Sequence, residues 1–420
     1  MTGIRSVSLD ELDSEGFVVS LSARESATLA ATELVEVRPE GAGVWRLFPR
    51  GRVGAVRVGD LQVEVRPKEP VGLSQLLFYL GYARDPGFRA DDVIGERDAE
   101  LWPALAYSLV LAVDRALARG VLQGYRTTEE ALRVVRGRIR FDDQIRARPG
   151  MLVPIEVTHD EFTVDTAENR LLRAALRVML GVPRLGSDIR RRLLHLDARL
   201  EGVRVQPPGS AMPVWHPSRL NERYQPALRL SEIVLRHAAA RPGDGRMEVA
   251  SFVVTMWKVF EDFVTVALTE ALRGLPGSTH AQLPAYLAGP GSWNLGSIPM
   301  NVDVVHRTPD GKPAVVFDAK YKVASPTGQY ANADHYQMLA YCTALHVPRA
   351  WLIYAGGRAP QVHRVKNTEI DIVTCPIDLS AHPREVLEQV RSIAIRAVRR
   401  PGTLSELQPL PLVADKSLLG

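Results

Sequence analysis

The hydrophobic pattern changes character twice along the chain. From Phe17 to about Pro67 apolar residues fall in short runs cut by glycine-rich turns, as in Val44–Phe48, Gly54–Val58 and Leu61-Gln-Val-Glu-Val-Arg. In the last of these Leu61, Val63 and Val65 share one face, the period of a half-buried strand. A small N-terminal β-rich domain over residues 1–70 is expected, with a linker near Pro67 to Pro70. The spacing then becomes helical: Ser74–Tyr82, Ala99–Arg119, Asp165–Leu180, Ile189–Leu200 and Pro226–His237 all read as helices. Arg136-Gly-Arg-Ile-Arg adds a turn-like glycine and a possible strand. This predicts a mainly helical middle domain over 71–244, closed by Arg241-Pro-Gly-Asp-Gly. After Gly245 the types alternate. Ser251–Leu272 is predicted as a helix, Ile298–His306 and Ala314–Lys322 as strands, Asn332–Leu345 as a helix and Trp351–Tyr354 as a buried strand. The fold class expected is α+β and multidomain, ending in an α/β domain with a mixed sheet over 245–400 and a tail over 401–420.

Composition narrows this only a little. The 420 residues are 46% apolar and 24% charged, as in folded globular chains, and no internal repeat interrupts them. Acidic residues near the start (Asp10, Glu11, Asp13, Glu15) and the lack of a basic-then-apolar pattern predict no secretory signal. The longest apolar stretch, Ala104 to Val113, is far below the ~20 residues that cross a bilayer. No membrane association and a cytoplasmic location are expected. Cys342 and Cys375 form neither a metal-ligand spacing nor a disulfide framework. A net charge of +4 does not establish a nucleic-acid partner. Lysine is scarce, however: seven against 45 arginines, with Lys312, Lys320 and Lys322 close together.

That short stretch also carries the strongest chemical signal. Between the two predicted strands lies Thr308-Pro-Asp-Gly-Lys-Pro, and Asp310-Gly311 favours a two-residue hairpin turn. In a regular hairpin Asp303 and Asp318 would face each other, unless Pro309 and Pro313 enlarge the loop and shift the register. Facing residues have Cβ atoms ~4.5–5.5 Å apart, and like charges so placed are destabilising. A divalent cation relieves this, because Mg²⁺ takes carboxylate and water oxygens with one or two protein acids. Alternation along a strand puts Lys320 on the same face as Asp318. Two acids and an ammonium suit metal-assisted phosphodiester hydrolysis: Asp303 and Asp318 for Mg²⁺ or Mn²⁺, and Lys320 for the attacking water or the charge developing on phosphoryl oxygens. Asp-x-Lys alone is a weak signal that an ordinary surface hairpin also satisfies. The apolar run Val315-Val-Phe leading into Asp318 favours a buried strand end.

Two flanking helices supply further candidates. On the predicted helix Phe252–Leu268 an apolar arc includes residues 252, 253, 256 and 257, with Glu261 at its rim and Asp262 pointing away. Glu261 is either a metal ligand approached edge-on or a half-exposed ion-pair partner. Asp334, Gln337 and Tyr341 share a helix face, and Gln337 is either a phosphate or water contact or plain surface polarity. Asp165 is read as the cap of the helix that follows it, serving Asn169 and Leu172. Other chemistries find no support. The only Gly-Lys pair, Gly311-Lys312, has His306 where a phosphate loop needs its first glycine, and neither His-Glu-x-x-His nor Gly-x-Ser-x-Gly occurs.

The acid on one strand followed by acid-x-Lys on the next resembles the PD-(D/E)xK nuclease superfamily, although Asn301-Val-Asp lacks the superfamily's proline. A wider set of segments resembles the McrC family, the nuclease subunits of McrBC-type modification-dependent restriction systems. These are Leu132–Ile139 with Arg136-Gly-Arg-Ile, His159-Asp-Glu-Phe-Thr-Val-Asp-Thr-Ala-Glu-Asn-Arg, Met256-Trp-Lys-Val-Phe-Glu, Phe317-Asp-Ala-Lys-Tyr-Lys and Asp334-His-Tyr-Gln-Met-Leu-Ala-Tyr. The resemblance covers most of residues 70–360 and is weak before them. It implies a C-terminal, Mg²⁺-dependent DNA endonuclease domain and an N-terminal part that engages a hexameric McrB-like AAA+ GTPase. It further implies that this partner recognises modified cytosine of the 5-methylcytosine type and is stimulated by the chain. The family's catalytic residues carry over to Asp303, Asp318 and Lys320, and more loosely to Glu261 and Gln337. A non-catalytic adaptor that activates such a GTPase, and a standalone nuclease, are the competing readings.

Overall fold

The computed structural model describes residues 5–67, 71–88, 101–183, 185–207, 210–241, 249–288, 297–321, 332–356 and 359–399. In chain order its elements are β1 (Arg5–Asp10), β2 (Phe17–Ser20), α1 (Ala23–Ala31), β3 (Val35–Gly41), β4 (Val44–Pro49), β5 (Val53–Val58), β6 (Leu61–Arg66), α2 (Leu73–Tyr82), α3 (Leu101–Leu117), β7 (Gly124–Leu132), β8 (Arg138–Ile139), α4 (Phe141–Ala147), β9 (Ile155–Thr163), α5 (Ala167–Leu180), α6 (Ser187–Arg199) and α7 (Gln225–His237). There follow β10 (Ala238–Arg241), β11 (Val249–Val254), α8 (Met256–Arg273), β12 (Ser278–Ala288), β13 (Ile298–Arg307), β14 (Pro313–Lys320), α9 (Asn332–Leu345), β15 (Arg349–Ala355), β16 (Gln361–Arg364), β17 (Asp371–Ile377) and α10 (Pro383–Val398). No helix among the described residues is long and apolar enough to cross a membrane.

The chain divides into two compact units, each built from separate stretches. One takes in Val56–Leu61 and residues 101–252; the other takes in residues 5–55, 62–88 and 253–399.

In the first unit α3 packs on α6 and α7, and α5 packs on α6 and α7. The middle of the chain is not helical throughout. β7, β9 and β8 form a three-stranded antiparallel sheet, whose polar, exposed strands gave no hydrophobic period to read. Gly137 has φ +74°, and a Cβ there would overlap the carbonyl oxygen of Thr158, so only glycine allows the chain to turn so close to β9. Asp165 does not cap α5. Thr166 is the N-cap and its side chain accepts from Asn169 N. Asp165 is instead held by Arg170 Nε at 2.6 Å and Arg204 N at 2.8 Å, with Arg126 at 2.5 Å. These donors take its carboxyl down to about 2 against the cost of burial.

In the second unit the N-terminal stretch holds the sheet β2-β4-β3 and one helix that the strand pattern concealed. α1 starts at a reciprocal cap, in which Ser22 Oγ accepts from Glu25 N while Glu25 Oε2 accepts from Ser22 N. The larger sheet of this unit has the order β12-β13-β14-β15-β17-β16. β12, β13 and β14 are antiparallel, β14, β15 and β17 are parallel, and β16 is antiparallel to β17. The crossover from β14 to β15 is α9, as parallel neighbours require. Central strands are covered on both faces and so read as unbroken apolar runs: Val315, Val316 and Phe317 in β14, and Trp351 to Tyr354 in β15, are all buried.

The predicted helix over Ser251–Leu272 begins later than expected. Residues up to Val254 are strand, since Phe252-Val-Val-Thr is a β-branched and aromatic run, and α8 starts at Met256. It packs against β12, β13 and β14, and also against α2 and α10. Phe263 sits among Phe78, Tyr79 and Tyr82, with the Tyr79 ring 4.6 Å away. α9 contributes Met338, Tyr341 and Cys342 to a core with Val305, Val316, Leu352 and Tyr354. The tail over 401–420 and residues 242–248, where the second boundary was expected, lie outside the described residues.

Candidate active site

The β13–β14 hairpin keeps the expected register while using a longer turn. The loop closes through Thr308 N to Lys312 O at 2.9 Å and Gly311 N to Thr308 O at 2.8 Å. A one-residue irregularity between His306 and Arg307 absorbs the added length. Beyond it the pairs are His306 with Val315, Val305 with Val316 and Val304 with Phe317. Asp303 and Asp318 are next in this series, and there the regular pairing stops. In its place the Asp303 carboxylate accepts from Ala319 N at 2.9 Å.

Asp318 is 1% exposed and Asp303 7%. The Lys320 ammonium stands 2.6 Å from Asp318 Oδ2, as the alternation along β14 requires. Asp318 Oδ1 has no hydrogen-bond partner among the described residues. Burial, and then the charge of Asp303, push the Asp318 carboxyl up to about 7 in spite of Lys320. Asp303 is raised by burial against the opposing pull of Ala319 N and Lys320. Burial would depress Lys320, but Asp318 and Asp303 outweigh it and hold the ammonium protonated.

Glu261, on α8, is raised by partial burial and by Asp303. The residue four positions earlier, Trp257, is not part of the buried face as the helical arc suggested; it is 53% exposed. Asp262 pairs with Lys258 at 3.5 Å, and its charge adds to those that raise Glu261 and Asp303. Gln337 Nε2 donates to Tyr341 OH at 2.6 Å, and Tyr341 OH donates to Asn301 O at 2.7 Å, so α9 is tied to β13 two residues from Asp303. Asp334 is buried and accepts from Tyr354 OH at 3.0 Å.

One contributor has no counterpart in the sequence reading. Gln282, on β12, places Nε2 3.4 Å from Glu261 Oε1 and 3.4 Å from Asp303 Oδ1. Nothing in the run Ser278–Ala288 marked it, because the strand is mostly exposed and carries no acid or lysine. β12 is anchored beside β13 by buried His306, which meets Thr279 Oγ1 at 2.9 Å and Pro276 O at 3.1 Å.

The donor chemistry fits a hard divalent cation. Two buried carboxylates of like charge meet at one strand end, and one buried oxygen of Asp318 lacks a hydrogen-bond donor. Among the described residues no three His, Cys, Asp or Glu groups come together as a ligand set, so Glu261 does not close with Asp303 and Asp318. Two carboxylates with open positions suit Mg²⁺, which keeps water and takes substrate phosphate oxygens.

The structure resembles a chain of the refined half-complex from a tetradecameric assembly of Thermococcus gammatolerans McrB AAA+ hexamers with bound McrC. The TM-score is 0.58 and the identity 17%, over 94% of this chain and 100% of that one. A chain of the Thermococcus gammatolerans McrBC complex, solved by cryo-EM, matches with a TM-score of 0.40 and 18% identity over 65% of this chain and 89% of that one. No curated protein matches. The family model described as McrBC 5-methylcytosine restriction system component matches residues 49–355, nearly the span over which the sequence resembled McrC, and the chain belongs to that family.

Proposed function

We propose that the chain is the DNA endonuclease subunit of a 5-methylcytosine-type restriction system, with a PD-(D/E)xK-like centre at Asp303, Asp318 and Lys320. The observation that carries this is the buried Asp318 carboxylate, set against a second acid and a lysine at a strand end. No fold stability explains such a cluster, since two buried acids oppose each other's ionisation. Perturbed carboxylates with a specific charge partner mark functional sites. Asp303 and Asp318 would hold Mg²⁺ or Mn²⁺. When bound, the cation polarises the scissile phosphate and makes water a competent nucleophile.

The protein's own groups do the rest. Lys320, kept protonated by Asp318, offers its ammonium to the negative charge that grows on the phosphoryl oxygens. Asp303 is oriented by Ala319 N, which leaves its second oxygen toward Gln282. Gln337 is committed to Tyr341 and serves to brace α9 against β13, in preference to a direct phosphate contact. On this reading the nuclease function resides in residues 245–400, and the preceding segments engage a hexameric McrB-like AAA+ GTPase in the cytoplasm. Supporting the partnership, the fold is shared with a complex in which McrC is bound to McrB hexamers.

Asp318→Ala tests the reading. It is expected to abolish Mg²⁺-dependent DNA cleavage while leaving stimulation of the partner's GTP turnover at the parent level. Undiminished cleavage would refute the centre. Loss of stimulation would show that the catalytic and partner-activating roles are not separable.

A further inference from the structure

Gln282 interrupts the ladder between β12 and β13. β12 pairs with β13 as Ala281 with Val304 and Leu283 with Val302, and the pair between them, Gln282 with Asp303, is missing. Gln282 has φ +48°, a left-handed conformation that a long L residue adopts rarely and keeps only where its surroundings demand it. Such outliers gather at functional sites, and this one stands across from an acid of the candidate centre.

Its side chain has a defined set of partners. Asn301 Nδ2 donates to Gln282 Oε1. With the oxygen so occupied, the NH₂ end of the amide is the end that faces the acids. That group lies 3.4 Å from Asp303 Oδ1 and 3.4 Å from Glu261 Oε1. A neutral donor with two N–H bonds thus stands between two carboxylates that repel each other.

We propose that Gln282 is a positioning residue for the metal-binding acids: oriented by Asn301, it links Glu261 on α8 to Asp303 on β13 and sets the direction of Asp303 Oδ1. The proposal rests on the nuclease reading above. It explains how Glu261 is tied to the centre without being a third ligand of a preformed acid cluster. Groups that orient ligands from outside the coordination sphere commonly change metal affinity by ~10–100-fold when removed. The competing account is that Gln282 only shapes the backbone of β12. Glycine would then serve at least as well, because it adopts φ +48° without strain.

The test is Mn²⁺ binding to the full chain by electron paramagnetic resonance, with melting in EDTA measured alongside. Gln282→Gly is expected to melt within a few degrees of the parent, yet to bind Mn²⁺ ~10–100-fold more weakly. Gln282→Asn, which also tolerates the left-handed conformation but is one methylene shorter, is expected to weaken binding in the same direction and covers the case in which the glycine variant does not fold. Parent-level Mn²⁺ affinity in either folded variant overturns the proposal and leaves the nuclease reading intact. Absence of Mn²⁺ binding by the parent chain overturns both.

Discussion

Replacing Asp318 with asparagine should make the metal-free protein more stable at pH 8. The carboxyl is 1% exposed and its pKa is pushed up to about 7 from the ordinary 3.8. Between those values the folded state holds a proton that the unfolded chain has released, so stability falls as pH rises through this window and the full penalty is present above about 7. At ~1.4 kcal/mol per pH unit the ceiling is ~4 kcal/mol. Rearrangement of Lys320 in the variant reduces this, and ~1–3 kcal/mol is expected. Asparagine keeps the shape of the neutral acid and removes the charge. The assay is thermal or urea unfolding in EDTA, where ~1 kcal/mol corresponds to roughly 2–4 °C in a domain of this size. The variant should melt several degrees above the parent at pH 8, and the gap should narrow at pH 5. Added Mg²⁺ should raise the melting temperature of the parent and not of the variant. A variant less stable than the parent at pH 8 in EDTA would mean instead that the Asp318–Lys320 pair stabilises the fold.

Two further outcomes follow from the geometry. Asp165→Ala should destabilise the first unit by ~2–4 kcal/mol, because it leaves Arg126 and Arg170 without their shared carboxylate. Since the Asp165 carboxyl is lowered to about 2, its contribution is present above the ordinary carboxylate range and is lost as pH falls through about 2. That is opposite in sign to Asp318, and acid titration of the unfolding midpoint distinguishes them. Tyr341→Phe should cost ~1 kcal/mol, as it removes the bond to Asn301 O and the acceptor for Gln337; urea unfolding reads this, and a cleavage loss as large as that of Asp318→Ala would show that Tyr341 acts in the chemistry.

Much of the candidate centre was legible because it is local. Asp303, Asp318 and Lys320 lie on consecutive strands joined by one loop, so a turn motif and a period of two were enough to bring them together. The loop is longer than a two-residue turn, but the irregularity at His306/Arg307 restores the pairing. α9 was found at its full length, with Gln337 and Tyr341 on one face. Other parts were illegible for physical reasons. Gln282 enters from a strand whose exposed residues carry no alternating pattern, and its backbone departs from the strand geometry that pattern reading assumes. α8 was drawn too far back, because Phe252 and Val253 continue its apolar arc while their β-branched neighbours favour the ladder of β10 and β11. The β7-β9-β8 sheet is largely exposed and held by cross-strand polar contacts such as Thr127 with Asp160 at 2.8 Å, which leave no hydrophobic trace. The cap of α5 was misplaced by one residue: both Asp165 and Thr166 are capping types, and the nearby arginines decide between them.

The decisive measurement is cleavage of DNA with and without 5-methylcytosine by the full chain, together with an McrB-type partner, GTP and Mg²⁺. Cutting of the methylated DNA that requires the partner and GTP and disappears in EDTA is expected. Failure to cut under every condition, or cutting that persists in EDTA, would rule out a metal-dependent nuclease centre at Asp303, Asp318 and Lys320.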